Sequence, residues 1–152
     1  MALVHQVLSA ADIDLVLDFA QKRLIEQISD ETTRTFASWE AKWRKEALEH
    51  YLKVGWSFIA RDEATKAVKG FYLGQPFLFF RGMTQSLWIE YLDAVDDETA
   101  KTLIEIAVKI GREKHLQRVM FAEPDKWKHL LEVWKPESLD GNSIAIVKTT
   151  KG

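Results

Sequence analysis

The sequence contains no cysteine, which excludes disulfides, iron–sulfur clusters, thiolate zinc sites and a cysteine nucleophile. It has three prolines, Pro76, Pro124 and Pro136, so no proline breaks the chain before its midpoint. A basic excess is also missing: 21 Lys and Arg stand against 23 Asp and Glu, a net charge of -2. A general nucleic-acid binder usually carries such an excess, and the basic residues here do not cluster with aromatics in a recognition motif, so nucleic acid is not expected as a partner. No apolar run approaches the roughly 18 residues of a membrane span, and the N-terminus lacks the basic start and long apolar core of a signal peptide. The expectation is a cytoplasmic protein that does not enter a membrane. The four histidines are scattered without metal-ligand spacing, so no metal site is expected.

What is present is an ordinary globular mix, with 47% hydrophobic and 29% charged residues in 152. That length suits one domain spanning 1–152, and no stretch reads as a linker or a repeat. Leu3 to Leu8 alternates loosely and predicts a strand. Ser9 with Asp12 is a capping pair in front of the stripe Ile13, Val16, Leu17, Ala20 and Leu24. Phe36, Trp39, Trp43, Ala47 and Tyr51 recur at helical spacing, and Gly55 ends the second helix they predict. Strands follow over Trp56–Arg61 and Ala67–Leu73, then an apolar run Gln75–Phe80 after an irregularity at Gly74 and Pro76. Ser86–Ala94 is a further strand. Asp96-Asp97-Glu98 opens a helix carrying Leu103, Ile106, Ala107 and Ile110. Arg118–Ala122 is a short apolar strand, Asp125 caps a short helix, and Ser143–Lys148 is the last strand. The order β-α-α-β-β-β-α-β-α-β predicts an α/β domain with a mixed central sheet flanked by helices.

That order resembles the GNAT family of N-acetyltransferases over nearly the whole chain. Val68-Lys69-Gly70-Phe71 is similar to the family's third-strand segment, and Trp88-Ile89-Glu90-Tyr91-Leu92 to its fourth strand. Lys114 to Val119 is similar to the helix-to-strand passage that follows. The resemblance implies an acyltransferase moving an acetyl group from acetyl-CoA to an amine, on a small molecule or a protein. It implies that the cofactor meets Leu92, Asp93, Ala94 and Val95 at the end of the fourth strand, and Thr99, Ala100, Lys101 and Thr102 at the helix start. It places Trp39 and Trp43 beside the acceptor groove, and it matches Glu90 to a position where some members carry the catalytic base.

The sequence departs from the family where the pyrophosphate would bind. Glycines there let backbone N–H groups close on phosphate, and a helix N-terminus adds positive potential. Residues 93–102 contain no glycine, and the first helical turn carries Asp96, Asp97 and Glu98 instead. The family's frequent tyrosine acid is missing from the helix at 126–134; His129 could replace it as an acid, with a solvated surface role as the plainer reading.

Each candidate has a structural alternative. Glu90 as general base competes with a strand carboxylate paired to a neighbour. The Trp39 and Trp43 stripe competes with plain core packing. Phe77 to Phe80 is either sheet core or an exposed patch for a protein partner or a second copy. Two functions therefore stand: an acyl-CoA-dependent N-acyltransferase with an altered cofactor site, and a non-catalytic GNAT-fold binding or regulatory module that has lost acetyl-CoA.

Overall fold

The chain turns first on local side-chain bonds. Ser9 donates its N–H to the Asp12 carboxylate at 2.9 Å, closing a 3-10 turn that leads into α1 (Ile13–Gln27). Asp30 accepts from the Thr33 N–H at 2.8 Å and starts α2 (Glu31–Glu40). α3 (Lys45–Lys53) ends before Gly55, whose φ of +80° suits glycine. The structure is a computed structural model describing residues 2–80, 83–139, 141 and 143–149, without the side chains of residues 78–80, 83 and 84.

The strands are β1 (Leu3–Val7), β2 (Phe58–Asp62), β3 (Val68–Phe80), β4 (Met83–Ala94), β5 (Arg118–Ala122), β6 (Glu137–Leu139) and β7 (Ile144–Lys148). α4 (Asp97–Glu113) joins β4 to β5, and α5 (Lys128–Leu131) lies between two 3-10 turns, Pro124–Trp127 and Glu132–Trp134. Seven strands form one sheet in the order β1-β2-β3-β4-β5-β7-β6. Every neighbouring pair is antiparallel except β4 and β5, which the α4 crossover makes parallel.

Three elements differ from the sequence reading, one of them the short helix expected after Asp125, which is three pieces with Asp125 inside the first rather than a cap. The aromatic stripe from Phe36 to Tyr51 is two helices, not one, because the chain leaves helical geometry at Ala41 (ψ 141°) and Arg44 (ψ 155°). Arg44 secures the break by donating to the carbonyl of Trp39 at 3.0 Å. A short strand, β6, also pairs with β7 where none was expected. The run past Gly74 and Pro76, by contrast, continues β3 as one long strand.

The sheet is covered on both faces. α4 packs Leu103, Ile104 and Ala107 against Leu87, Ile89 and Leu92 of β4 and Val119 of β5. On the opposite face α1 and α3 pack Val16, Phe19, Leu48 and Leu52 against Ile59, Phe71 and Leu73. A third cluster, Met120, Ile144 and Ile146, is joined by Phe77 and Trp88, whose rings stack at 5.6 Å. Phe77 is thus packed; the side chains of Leu78, Phe79 and Phe80 lie outside the described residues. β3 and β4 approach closely at Gly70, where a Cβ would stand 2.6 Å from the Asp93 carbonyl oxygen.

Candidate functional site

The site begins with one extra residue. Leu73 of β3 pairs with Tyr91 and Gly74 pairs with Ile89, so Glu90 has no partner and forms a β-bulge. β4 and β5 stay paired only as far as Ile89 and Phe121. Past the bulge they part, and a cleft opens between Glu90–Leu92 on one side and Ala122–Pro124 on the other. Ile104 of α4 and Leu131 of α5 line it with Trp127.

The parted edge of β4 is not left open. The carbonyls of Glu90, Leu92 and Ala94 are each met by a side-chain donor from a different part of the chain. Lys42, between α2 and α3, donates to Glu90 at 3.3 Å. The Trp127 indole donates to Leu92 at 3.1 Å. Arg23 of α1 donates to Ala94 at 3.0 Å. Asp93, 1% exposed, pairs with Arg23 at 3.0 Å and with Lys126 at 2.7 Å. The same ion pair holds the Arg23 guanidinium above its usual pKa. These donors leave a cavity of about 140 Å³ between the strands, whereas small-molecule sites usually run to roughly 300–1,000 Å³.

The start of α4 is closed by its own chain as well. Asp96 is the N-cap and accepts from the Thr99 N–H at 2.8 Å. Hydrogen bonding from Thr99 holds the Asp96 carboxyl below the usual range. The Ala100 N–H bonds the Asp96 carbonyl, and the Val95 N–H bonds Lys69. Thr102 donates its hydroxyl to Glu98, and Lys101 points to solvent. Asp97 and Glu98 add two more carboxylates, the first paired with His129 at 2.9 Å.

Glu90 lies at the cleft mouth. Its carboxylate accepts from the Trp88 indole at 2.7 Å and stands 3.6 Å from the Lys42 ammonium. Lys42 also reaches Glu123 across the cleft at 3.5 Å. Burial, and after it the charge of Glu90, pushes the Tyr51 phenol up to about 12. Glu90 therefore sits among an indole, an ammonium and a neutral phenol.

Trp39 and Trp43 lie elsewhere. Trp43 is buried at 6% in the α1–α3 core, and Trp39 is 60% exposed against Phe36. With Leu17 and Gln21 they line a shallow depression on the helical side, not the cleft between β4 and β5. Sequence reasoning missed Trp127, Lys126, Lys42 and Arg23. Trp127 reads as one apolar member of a short amphipathic helix, and nothing local marks its indole as a donor to a strand 35 residues away.

No family model and no curated protein matches the sequence. Solved structures do. The PaiA N-acetyltransferase of Thermoplasma acidophilum, solved in complex with coenzyme A, is 18% identical over 99% of this chain and 100% of that one, with a TM-score of 0.65. A GNAT-family acetyltransferase from Listeria monocytogenes superposes with a TM-score of 0.69 at 10% identity, covering 96% of this chain and 93% of that one. A mosquito arylalkylamine N-acetyltransferase-like protein gives 0.63 at 9% identity over 97% and 98%. At such identities the likeness speaks for architecture, and with the bulged fourth strand and the parted β4–β5 pair it establishes that this chain has the GNAT fold.

Proposed function

We propose that this chain is a GNAT-fold binding or regulatory module that works without acetyl-CoA in the fold's usual cleft. The observation that carries the reading is the Trp127 indole bonded to the Leu92 carbonyl. That carbonyl belongs to the strand end that the resemblance assigns to the cofactor. The residues present do not fit coenzyme A there. The cavity is small, the α4 N-terminus is already capped by Asp96, and Asp97 and Glu98 stand where a pyrophosphate would need N–H donors. Like charges at contact distance in a partly desolvated site cost on the order of a kcal/mol each.

Calorimetric titration with acetyl-CoA and with CoA, at low and moderate salt, tests this. The expected result is no binding at millimolar ligand. Micromolar binding overturns the reading and moves the chain to the second one, an N-acyltransferase acting on an amine through an altered cofactor site. That second reading is supported by the Glu90 bulge itself. The bulge keeps the parted strands of the fold and sets a carboxylate at the cleft mouth, where it can take a proton from a substrate ammonium.

A further inference from the structure

Residues 124–134 carry three short helical pieces in a row, and none of them is longer than four residues. Glu123 precedes the segment with a φ of +48°, and Lys135 follows it with a φ of +50°. Both are left-handed, a conformation that side chains with a Cβ rarely adopt outside turns. The N–H of Glu123 is tied to the Ser143 carbonyl at 2.8 Å, so one hinge is anchored on the sheet.

Between these points the segment is held by Leu131 and by Trp127, Leu130 and Trp134, which pack partly buried against the α4 core. Leu131 is its one buried residue, at 2% exposure. Cavities flank it on two sides: the 140 Å³ cleft between β4 and β5, and another of about 280 Å³ lined by Pro124, Leu131, Pro136 and Ala145. Among the described residues, three side-chain polar contacts fasten it to the rest of the molecule. They are Trp127 to the Leu92 carbonyl, Lys126 to Asp93, and His129 to Asp97. The first two land on the parted edge of β4, so whatever frees them also frees the cleft.

We propose that residues 124–134 form a strap that swings about Glu123 and Lys135 and gates the β4–β5 cleft, with Trp127 as its latch. Empty volume on both sides gives the segment somewhere to go without unpacking the sheet. Opening withdraws Leu131 and the partly buried Trp127, Leu130 and Trp134 from the α4 core and breaks the three polar contacts, but leaves every strand pairing of the sheet in place. It uncovers the Leu92 carbonyl and the Asp93 carboxylate, both acceptors, beside Glu90. The strap accounts equally for a closed module and for an enzyme with restricted entry.

The absence of native cysteine makes the test clean. Ile104 and Leu103 are adjacent on α4, exposed at 1% and 0%, and only Ile104 lines the cleft. Ile104→Cys and Leu103→Cys are each labelled with a maleimide under native conditions, after circular dichroism confirms folding. Ile104→Cys should react at least about tenfold faster. Adding Trp127→Phe should raise the Ile104→Cys rate about tenfold further, the effect of one lost hydrogen bond, while Leu103→Cys stays unchanged. Equal rates at the two positions overturn the proposal. So does a Trp127→Phe effect shared by both, or an Ile104→Cys thiol that reacts as fast as a free one. Should the cysteine variants not fold, amide hydrogen exchange of the unmodified chain decides. Residues 124–134 should exchange with lower protection than β5 and β7, and equal protection overturns the strap.

Discussion

At the scale of single residues, Asp93 ties two distant parts of the chain to the end of β4. It is 1% exposed and holds Arg23 from α1 and Lys126 from the strap, which come from opposite sides of it in the sequence. Removing one partner of a buried pair leaves charge without compensation, at about 3–5 kcal/mol when burial is complete. Here the Arg23 side chain is 16% exposed and Lys126 is 47% exposed, so solvent recovers part of that. Asp93→Asn should therefore lower stability by about 2–3 kcal/mol, read as a fall in the urea midpoint at unchanged slope. Asp97→Asn is the contrast. Its partner His129 is 54% exposed, and surface pairs contribute about 0–1 kcal/mol, so the midpoint should barely move. Nothing in the local sequence distinguishes these aspartates. Asp93 reads as one residue of a cofactor strand because its partners lie 70 residues before it and 33 after.

Single elements were legible where their determinants are local. The start of α4 at Asp96-Asp97-Glu98 was legible from its run of carboxylates; the structure places Asp96 just outside the first turn, as the N-cap that accepts from the Thr99 N–H at 2.8 Å. Asp96→Ala should cost about 1 kcal/mol, as N-caps usually do, while Asp96→Asn should retain most of it. Urea denaturation of both variants checks the order, and equal losses would mean that the 3.5 Å contact with Lys69, not the cap, is what Asp96 supplies. The break between α2 and α3 was not legible. Trp39 and Trp43 are four apart and would share a face of one helix, yet one is exposed and the other buried. The chain departs from the helix at residues 41–44, where Lys42 reaches across to Glu90 and Glu123, contacts that helical periodicity cannot encode. The same reason hid the strap. Its apolar spacing predicts one short helix, and only the two left-handed hinge residues and the flanking cavities, which depend on distant strands, show it as three pieces.

At the scale of the whole molecule, element order carried the fold because each strand's apolar pattern is its own, whereas cleft closure depends on side chains meeting across the sheet. The two main cores depend on another long-range property, the placement of all three tyrosines. Tyr51 is pushed up to about 12, mainly by burial, and burial drives Tyr72 and Tyr91 higher still. An unfolded tyrosine ionises near 10. A group whose folded pKa is raised keeps its full stabilisation below the unfolded pKa and loses it as pH climbs toward the folded one. Stability is thus intact below about pH 10 and falls above it, with up to three protons released on unfolding, or up to about 4 kcal/mol per pH unit. That slope exhausts a typical stability of about 5–15 kcal/mol within a few pH units. Phenolate absorbance and far-ultraviolet circular dichroism, followed together from pH 9 upward, should change in one cooperative step above pH 10. Tyr72→Phe should move that step upward, because the Tyr72 hydroxyl has no hydrogen-bond partner among the described residues and its removal leaves no acceptor or donor orphaned. Phenols that titrate near 10 while the dichroism stays constant would show that the two cores admit hydroxide without unfolding, and that the tyrosines do not set the alkaline limit of this fold.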